Sequence, residues 1–232
     1  MKHRFLIIAL LTTLVSCGSM LTENENKAID EVLEFFGGYC KYSVGVSAST
    51  EEGEKKYFEL ELSQSNSLTK FKDNKEIVTS KLSYIFFCKL SEKEKENYTH
   101  IRGTLLYDNG EKFSKDYSIE ELETVKNKLL IVDKVVSLIK NKNFIELKDL
   151  LNDQESFRYD KNELVTNIEK VEPEFGNIKE YRLFGFKFSY AGDNEILKIY
   201  GVVLRDKNNH ELSIYLDPNS KKEEILKLDY EL

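Results

Sequence analysis

The stretch SIEELETVKNKLLIVDKVVSLIK, residues 118–140, decides the fold that the sequence predicts. Ser118 and Glu121 match the pattern of a helix capping box, in which each side chain bonds the backbone N–H of the other residue. Apolar residues then recur every three or four positions, the spacing of one buried helix face: Leu122, Val125, Leu129, Val132, Val136 and Ile139. We therefore expect a long amphipathic helix that opens a new section of the chain.

Two shorter helices and then a run of strands are predicted after it. Asn143 and Asp160 are residue types that favour helix N-caps, and Pro173 is expected to end the last helix. Beyond Pro173, apolar and alternating runs are separated by Gly, Asn, Asp and Pro turn residues. These runs predict four antiparallel strands, at residues 178–190, 196–205, 211–216 and 224–230.

The section before Ser118 is predicted to contain one helix followed by an antiparallel sheet. The helix is indicated by the apolar spacing from Ile29 to Phe36, closed by two glycines. Strands are predicted at residues 39–48, 57–63, 82–90, 100–107 and 112–117, the last two joined by an Asn-Gly turn. The predicted fold class is therefore α+β, with three helices packed on a curved four-stranded antiparallel sheet in the C-terminal half.

That C-terminal order of elements resembles the nuclear-transport-factor-2-like domains, a cystatin-like α+β roll, found in many bacterial lipoproteins. The resemblance covers residues 118–232 and is also carried by the Phe-Gly-Asn-Ile entry into the first long strand, residues 175–178. It implies a cone between helices and sheet, which members of the superfamily use as a ligand pocket or fill as a plain core.

Four aromatic residues alternate along the first of these strands and are expected to share one face of the sheet: Phe184, Phe186, Phe188 and Tyr190. They allow two interpretations. Either they line a pocket for an apolar ligand, or they are the hydrophobic core of the domain. We favour the second.

The sequence predicts no catalytic residue, no metal site and no cofactor. Steroid-isomerising enzymes of the superfamily use a Tyr and two carboxylates, and dehydratase relatives a His with an Asp, but no matched set is recognisable here. Asp160 is better explained as a helix cap and Asp193 as a turn residue. Only His100 and His210 remain beyond the N-terminal segment, so a two-histidine site requires them to converge.

The N-terminal segment predicts export. Residues 1–4 are positively charged and residues 5–11 are apolar, the order of a secretory signal peptide. Leu14-Val15-Ser16-Cys17 then resembles the lipobox of bacterial lipoproteins. The resemblance implies cleavage before Cys17 and attachment of diacylglycerol and palmitate to that residue. Two or three such acyl chains anchor a protein to a membrane without crossing it.

This reading divides the chain into four parts. Residues 1–16 are the signal peptide, 17–26 the lipidated N-terminus and polar tether, 27–117 a first α+β domain and 118–232 the second. Gly18 and Ser19 follow the lipidated cysteine in place of the Asp that retains many lipoproteins on the inner membrane. By that resemblance we expect the outer membrane, facing the periplasm or the cell surface.

Charge and cysteine content add two expectations. Removing residues 1–16 leaves 32 basic and 41 acidic side chains, a net charge of −9, and such an acidic chain is not expected to bind nucleic acid. The two remaining cysteines, Cys40 and Cys88, would lie in an oxidising compartment. They form either a disulfide between strands or two separate buried thiols.

Two functions follow as hypotheses. The first, which we prefer, is a non-catalytic envelope protein that binds another protein or serves as a structural module, since common catalytic motifs are missing from the sequence. The second is a small-ligand binder or enzyme that uses the cone of the C-terminal domain. A cone with convergent polar groups would favour the second hypothesis.

Overall fold

The computed structural model of the chain describes residues 21–49, 53–152 and 160–230. Its N-terminal half contains α1 (Glu23–Phe36), β1 (Tyr39–Ser49), β2 (Gly53–Ser63), α2 (Asn66–Lys70), a 3-10 turn (Lys72–Asn74), α3 (Lys75–Lys89), α4 (Glu92–Lys95), β3 (His100–Leu106) and β4 (Lys112–Ser118). Its C-terminal half contains α5 (Ile119–Lys140), α6 (Phe144–Leu150), α7 (Lys161–Phe175), β5 (Ile178–Ala191), β6 (Asn194–Arg205), β7 (His210–Leu216) and β8 (Lys227–Tyr230). The predicted α+β class is confirmed.

Helix α1 begins earlier than the sequence analysis expected. The Glu25 backbone N–H donates to Thr22 Oγ1 across 3.1 Å, and the Thr22 N–H donates to Glu25 Oε2 across 2.8 Å. This capping box starts the helix at Glu23, inside residues 17–26, which were predicted to be a tether. Gly37, with φ of 64°, ends the helix as predicted.

The first sheet has the strand order β1-β2-β3-β4. The outer pairs β1/β2 and β3/β4 are antiparallel, but β2 and β3 are parallel. A parallel pair needs a long crossover between its strands, and the segment from α2 to α4 is that crossover. The prediction of a wholly antiparallel N-terminal sheet is therefore wrong in this one pairing.

Helix α3 lies where the sequence analysis expected a strand at residues 82–90. It packs against β3 and β4 of the first sheet and against β5 of the second. Leu82, Phe86 and Phe87 are fully buried. A helix covered on several sides lacks the one-sided apolar periodicity by which helices are recognised, so a short apolar run does not distinguish it from a strand. This is why the strand prediction was wrong.

The N-caps predicted for the C-terminal helices are present. The Glu121 N–H donates to Ser118 Oγ across 3.0 Å and the Ser118 N–H to Glu121 Oε2 across 2.7 Å. The side chains of Asn143 and Asp160 likewise accept backbone N–H groups at the starts of α6 and α7. Pro173, expected to end α7, lies inside its last turn, and the helix continues to Phe175.

The second sheet is an antiparallel meander of order β5-β6-β7-β8. Its four strands are those predicted from the sequence, although β8 begins only at Lys227. The pairing of β5 with β6 shifts register between Ile178 and Glu180 and again between Leu183 and Gly185. Such irregularities bend a strand and change the direction of its side chains.

Two glycines allow α3 to approach both sheets closely. A side chain at Gly103 of β3 would place its first carbon 2.7 Å from a backbone carbonyl oxygen of α3. A side chain at Gly185 of β5 would collide with the carbonyl oxygen of Ile77. Beside it, the Phe186 N–H donates to Ser80 Oγ of α3 across 2.8 Å. Helix α3 thus joins the two sheets, whose buried apolar residues form one continuous core.

Candidate functional site

The four aromatic residues predicted to share one face of β5 lie in different surroundings. Phe186 is fully buried and packs edge-to-face on Tyr117 and Phe188, with ring centroids 5.4 Å and 5.9 Å apart. Tyr190, near the strand end, is 73% exposed. Phe184 lies before the buried part of the row and lines a surface groove. The four residues therefore do not form one pocket.

The groove at Phe184 has a volume of about 600 Å³ and lies where α1, the segment from α2 to α3, and β5 meet. We call it the junction groove. Its aromatic lining comes from three parts of the chain that are distant in the sequence: Phe35 and Phe36 of α1, Phe71 after α2 and Phe184 of β5. The rings of Phe71 and Phe184 are 6.0 Å apart and steeply inclined to one another, an arrangement typical of packed aromatic pairs.

A cation lies against the α1 wall of the junction groove. Lys81 Nζ is 4.8 Å from the ring centroid of Phe35, within the distance of a cation–π contact. Burial lowers the pKa of Lys81, the negative charge of Glu31 opposes this shift, and the positive charge of Arg182 adds to it. Lys81 is therefore a poorly solvated cation beside the ring of Phe35.

Charges of both signs border the junction groove. They are Glu31 and Glu34 of α1, Lys70 of α2 and Arg182 of β5. Glu31 pairs with Lys89 and Arg182 pairs with Glu180, each at 2.5 Å. Glu34 and Lys70 form no ion pair with any other residue of the described part of the chain. An apolar floor with free charges of opposite sign at its margins is suited to binding an amphipathic ligand.

The second polar feature is the Arg205 cluster, made of Glu172, Arg205, His210 and Tyr230. The Arg205 side chain is fully buried and pairs with Glu172 through both of its terminal nitrogens. Its Nη2 also donates to the Tyr230 hydroxyl across 2.9 Å, and that hydroxyl donates to Glu172. The His210 ring lies 4.2 Å from the Tyr230 ring, and burial lowers the pKa of His210.

The Arg205 cluster fastens α7 to the second sheet. Arg205 Nη1 donates to the carbonyl oxygen of Gly176, directly after α7, across 2.7 Å. Glu172 comes from the last turn of the helix, while the other members come from β6, β7 and β8. Because these residues are far apart in the sequence, no local motif marked the cluster. Arg205, Glu172 and Tyr230 bond to one another, which indicates a structural role. Arg205 Nε and His210 Nε2 are buried without a hydrogen-bond partner among the described residues.

The two cysteines that were considered for a disulfide are free thiols. Cys40 is buried on β1, whereas Cys88 is exposed near the end of α3. The disulfide alternative assumed that both residues lie on strands, and the helical position of Cys88 removes that premise. Burial raises the pKa of the Cys40 thiol to about 12, so this thiol stays protonated at neutral pH. Cys17 lies outside the described residues.

The remaining titratable residues noted in the sequence do not converge. His100 is on β3 of the first sheet, and His210 is on β7 of the second. Asp160 caps α7, as predicted. Within residues 21–49, 53–152 and 160–230, no group of three or more His, Cys, Asp and Glu residues is placed to hold a metal ion.

Among the helices that the structure describes, none combines the length and the apolar character needed to span a bilayer. Comparison with protein-family models, with curated proteins and with solved structures finds no match to this chain.

Proposed function

We propose that the protein is a bacterial envelope lipoprotein, anchored through Cys17, that binds an apolar segment of another envelope protein in the junction groove. The observation that supports this proposal is the groove itself: four phenylalanines from three separate parts of the chain line it, together with charged residues of both signs. Protein interfaces commonly use a few apolar anchors in a pocket surrounded by a polar rim.

The groove favours an extended peptide segment with one or two large apolar side chains. Phe35, Phe71 and Phe184 provide the apolar surface for such a side chain. Glu34 on one wall and Lys70 on the other are free to pair with charged residues flanking it. In contrast, Phe186 of the aromatic row is fully buried and packed against Tyr117. We therefore prefer protein binding at the junction over a small ligand in the cone.

A crosslinking experiment tests binding at the groove. The full chain carrying Phe35→p-benzoylphenylalanine is irradiated in intact bacteria of the producing species, with Leu130→p-benzoylphenylalanine as the control. Leu130 is 69% exposed on α5 and lies outside the groove. We expect one discrete protein adduct at position 35 and none at position 130. The adduct should disappear when Lys70→Glu is added, because the reversed charge repels the acidic residue with which Lys70 is proposed to pair.

Two outcomes would contradict the binding proposal. One is the absence of a protein adduct at position 35. The other is an adduct at position 35 that Lys70→Glu leaves unchanged, since the contact would then not depend on the charged residues proposed to bind the segment.

The anchor is tested separately. Cells expressing the full chain are fed an alkyne-tagged palmitate, and the purified protein is examined for the label. We expect labelling of the original chain and of a Cys88→Ala control, and complete loss of label in Cys17→Ala. Label retained by Cys17→Ala would refute the lipidation of this residue, whatever the crosslinking shows.

A further inference from the structure

The two sheets have four edge strands, and three of them carry features that block pairing with another chain. Strand β8 has only four residues. Strand β5 contains two register shifts and is contacted by α3 at Gly185. Strand β4 carries Lys112 and Lys115, which pair with Glu61 and Glu76. Short length, irregular pairing, covering by a helix and lysine side chains are the recognised means by which edge strands avoid association.

Of these features, strand β1 has only a lysine, Lys41. It is 11 residues long, pairs with β2 without a register shift along its whole length, and contains a single charged residue, Lys41. It contains no proline. In the described part of the chain no strand pairs with its outer edge. An edge strand that is long, regularly paired and poor in charged residues is a template for another strand.

An uncovered row of apolar side chains follows β1. Tyr42, Val44 and Val46 are 49%, 46% and 60% exposed. In the antiparallel register Tyr42 lies beside Leu60 and Val44 beside Phe58, both of which are fully buried. Because paired residues of an antiparallel sheet point to the same face, the exposed row belongs to the face that carries the hydrophobic core. The apolar side chains of this face therefore continue to the edge strand, where they are exposed to solvent.

The strand is complementary to itself. In an antiparallel pairing of β1 with a second β1 centred on Val44, the full length of each strand overlaps the other. Val44 then lies opposite Val44, Tyr42 opposite Val46, and Cys40 opposite Ala48. Apolar residues thus meet apolar residues along the core face.

The opposite face of this pairing is also free of conflict. Lys41 lies opposite Ser47, and Ser43 lies opposite Gly45. No like charges face one another, although like charges directly opposite each other destabilise a strand pair. A foreign partner would have to supply this match by chance, whereas a second copy of the chain always has it.

We propose that two copies of this protein associate through β1, antiparallel and centred on Val44, so that their first sheets become one continuous sheet. The occupant of the free edge is a second copy of the chain. The contact combines main-chain hydrogen bonds between the two β1 strands with contact between the two rows formed by Tyr42, Val44 and Val46. It does not depend on the junction groove.

Cysteine crosslinking of the full chain tests the register. In a Cys40→Ala, Cys88→Ser background, Val44→Cys places two thiols opposite each other on adjacent strands, close enough for a disulfide. In the matched variant Val46→Cys, the two thiols of a dimer lie roughly 14 Å apart along the strands, too far to bond. We expect a disulfide-linked dimer from Val44→Cys and at least about tenfold less from Val46→Cys. Adding Tyr42→Cys to Val46→Cys should restore the link.

Several results would overturn this proposal. The absence of a dimer with Val44→Cys, equal linking by Val44→Cys and Val46→Cys, or linking of Val44→Cys only to a different protein would each exclude the register. The Cys40→Ala, Cys88→Ser background without an added cysteine shows how much linking occurs without the introduced thiols.

A measurement of mass provides an independent test. Native mass spectrometry of the full chain in detergent should give the mass of two copies, and Val44→Lys should give the mass of one. The matched control is Ile145→Lys, which places a lysine at a residue of α6 that is 81% exposed, and it should remain a dimer. A monomeric original chain, or a Val44→Lys variant that stays dimeric, would refute the association through β1.

Discussion

The Arg205 cluster and the junction groove both place charged side chains beside aromatic rings, but only the cluster is closed. In the cluster, Arg205 and Glu172 are buried and paired with one another. In the groove, Glu34 and Lys70 are exposed and unpaired among the described residues. A buried charge without a partner is strongly unfavourable, whereas an exposed charge loses little when left alone. We therefore expect substitutions in the cluster to change stability and substitutions in the groove to change binding.

The largest effect is expected from Arg205→Met. This change leaves the Glu172 carboxylate buried without its partner, and breaking a buried ion pair costs about 3–5 kcal/mol. Denaturant unfolding of the variant should show a loss of that size. Arg182→Met, which alters an exposed arginine of β5, is the matched control and should change the free energy of unfolding by no more than about 0.5 kcal/mol.

The double variant Arg205→Met with Glu172→Met makes the interpretation of this result more secure. Removing both charges eliminates the unpaired carboxylate, so most of the lost stability should return. If the double variant is as unstable as Arg205→Met, packing rather than the ion pair holds α7 on the sheet.

A smaller effect is expected at Gly185 of β5, where α3 approaches the second sheet. In Gly185→Ala the new methyl group collides with the carbonyl oxygen of Ile77, and overpacking of this kind typically costs about 1–3 kcal/mol. Ser189→Ala, at a half-buried residue of the same strand, should have little effect. Unfolding free energies measured side by side would show whether α3 needs this close approach, and equal values for both variants would disprove it.

The pH dependence of stability should report on His210. Burial lowers the pKa of this residue, the positive charge of Arg205 lowers it further, and Glu172 and a bond to the Glu211 carbonyl oppose the shift. The unfolded chain therefore binds a proton on this histidine at a higher pH than the folded chain. The contribution of His210 to the free energy of unfolding is complete above the ordinary histidine pKa of about 6.5. It is lost as the pH falls below that value, by up to about 1.4 kcal/mol per pH unit.

The comparison with His210→Gln isolates this contribution. Carboxylates titrate in both proteins, so the difference between their stability profiles from about pH 7 to about pH 5 belongs to the histidine. We expect the original chain to lose more stability over that range than the variant. Parallel profiles from thermal or denaturant unfolding would contradict the role assigned to burial.

These regions also show how much of the molecule the sequence predicted. Helix caps act locally, so Ser118 with Glu121 and Asp160 could be recognised from the residues beside them. Alternation and turn residues similarly identified β5 to β8. Helix α3 was missed because its burial against two sheets removes the periodic signal.

The candidate sites were harder to predict for a related reason. Of the aromatic row on β5, only Phe184 lines the junction groove, and its neighbours Phe35 and Phe71 come from elements more than a hundred residues earlier in the chain. Arg205 and Glu172 are likewise brought together only by the packing of α7 on the sheet. Contacts between distant segments leave no spacing pattern, so the sequence predicted most of the elements but neither of these two sites.

The smallest effect on stability is expected in the junction groove, from Lys70→Glu. Lys70 is exposed and has no ion pair within the described residues, so its reversal should change the free energy of unfolding by no more than about 0.5 kcal/mol. The same change should abolish the crosslink formed through position 35. A variant that keeps full stability and loses the crosslink separates binding from folding, which no substitution in the Arg205 cluster can do. A loss of stability comparable with that of Arg205→Met would show that the groove, too, is part of the structural framework.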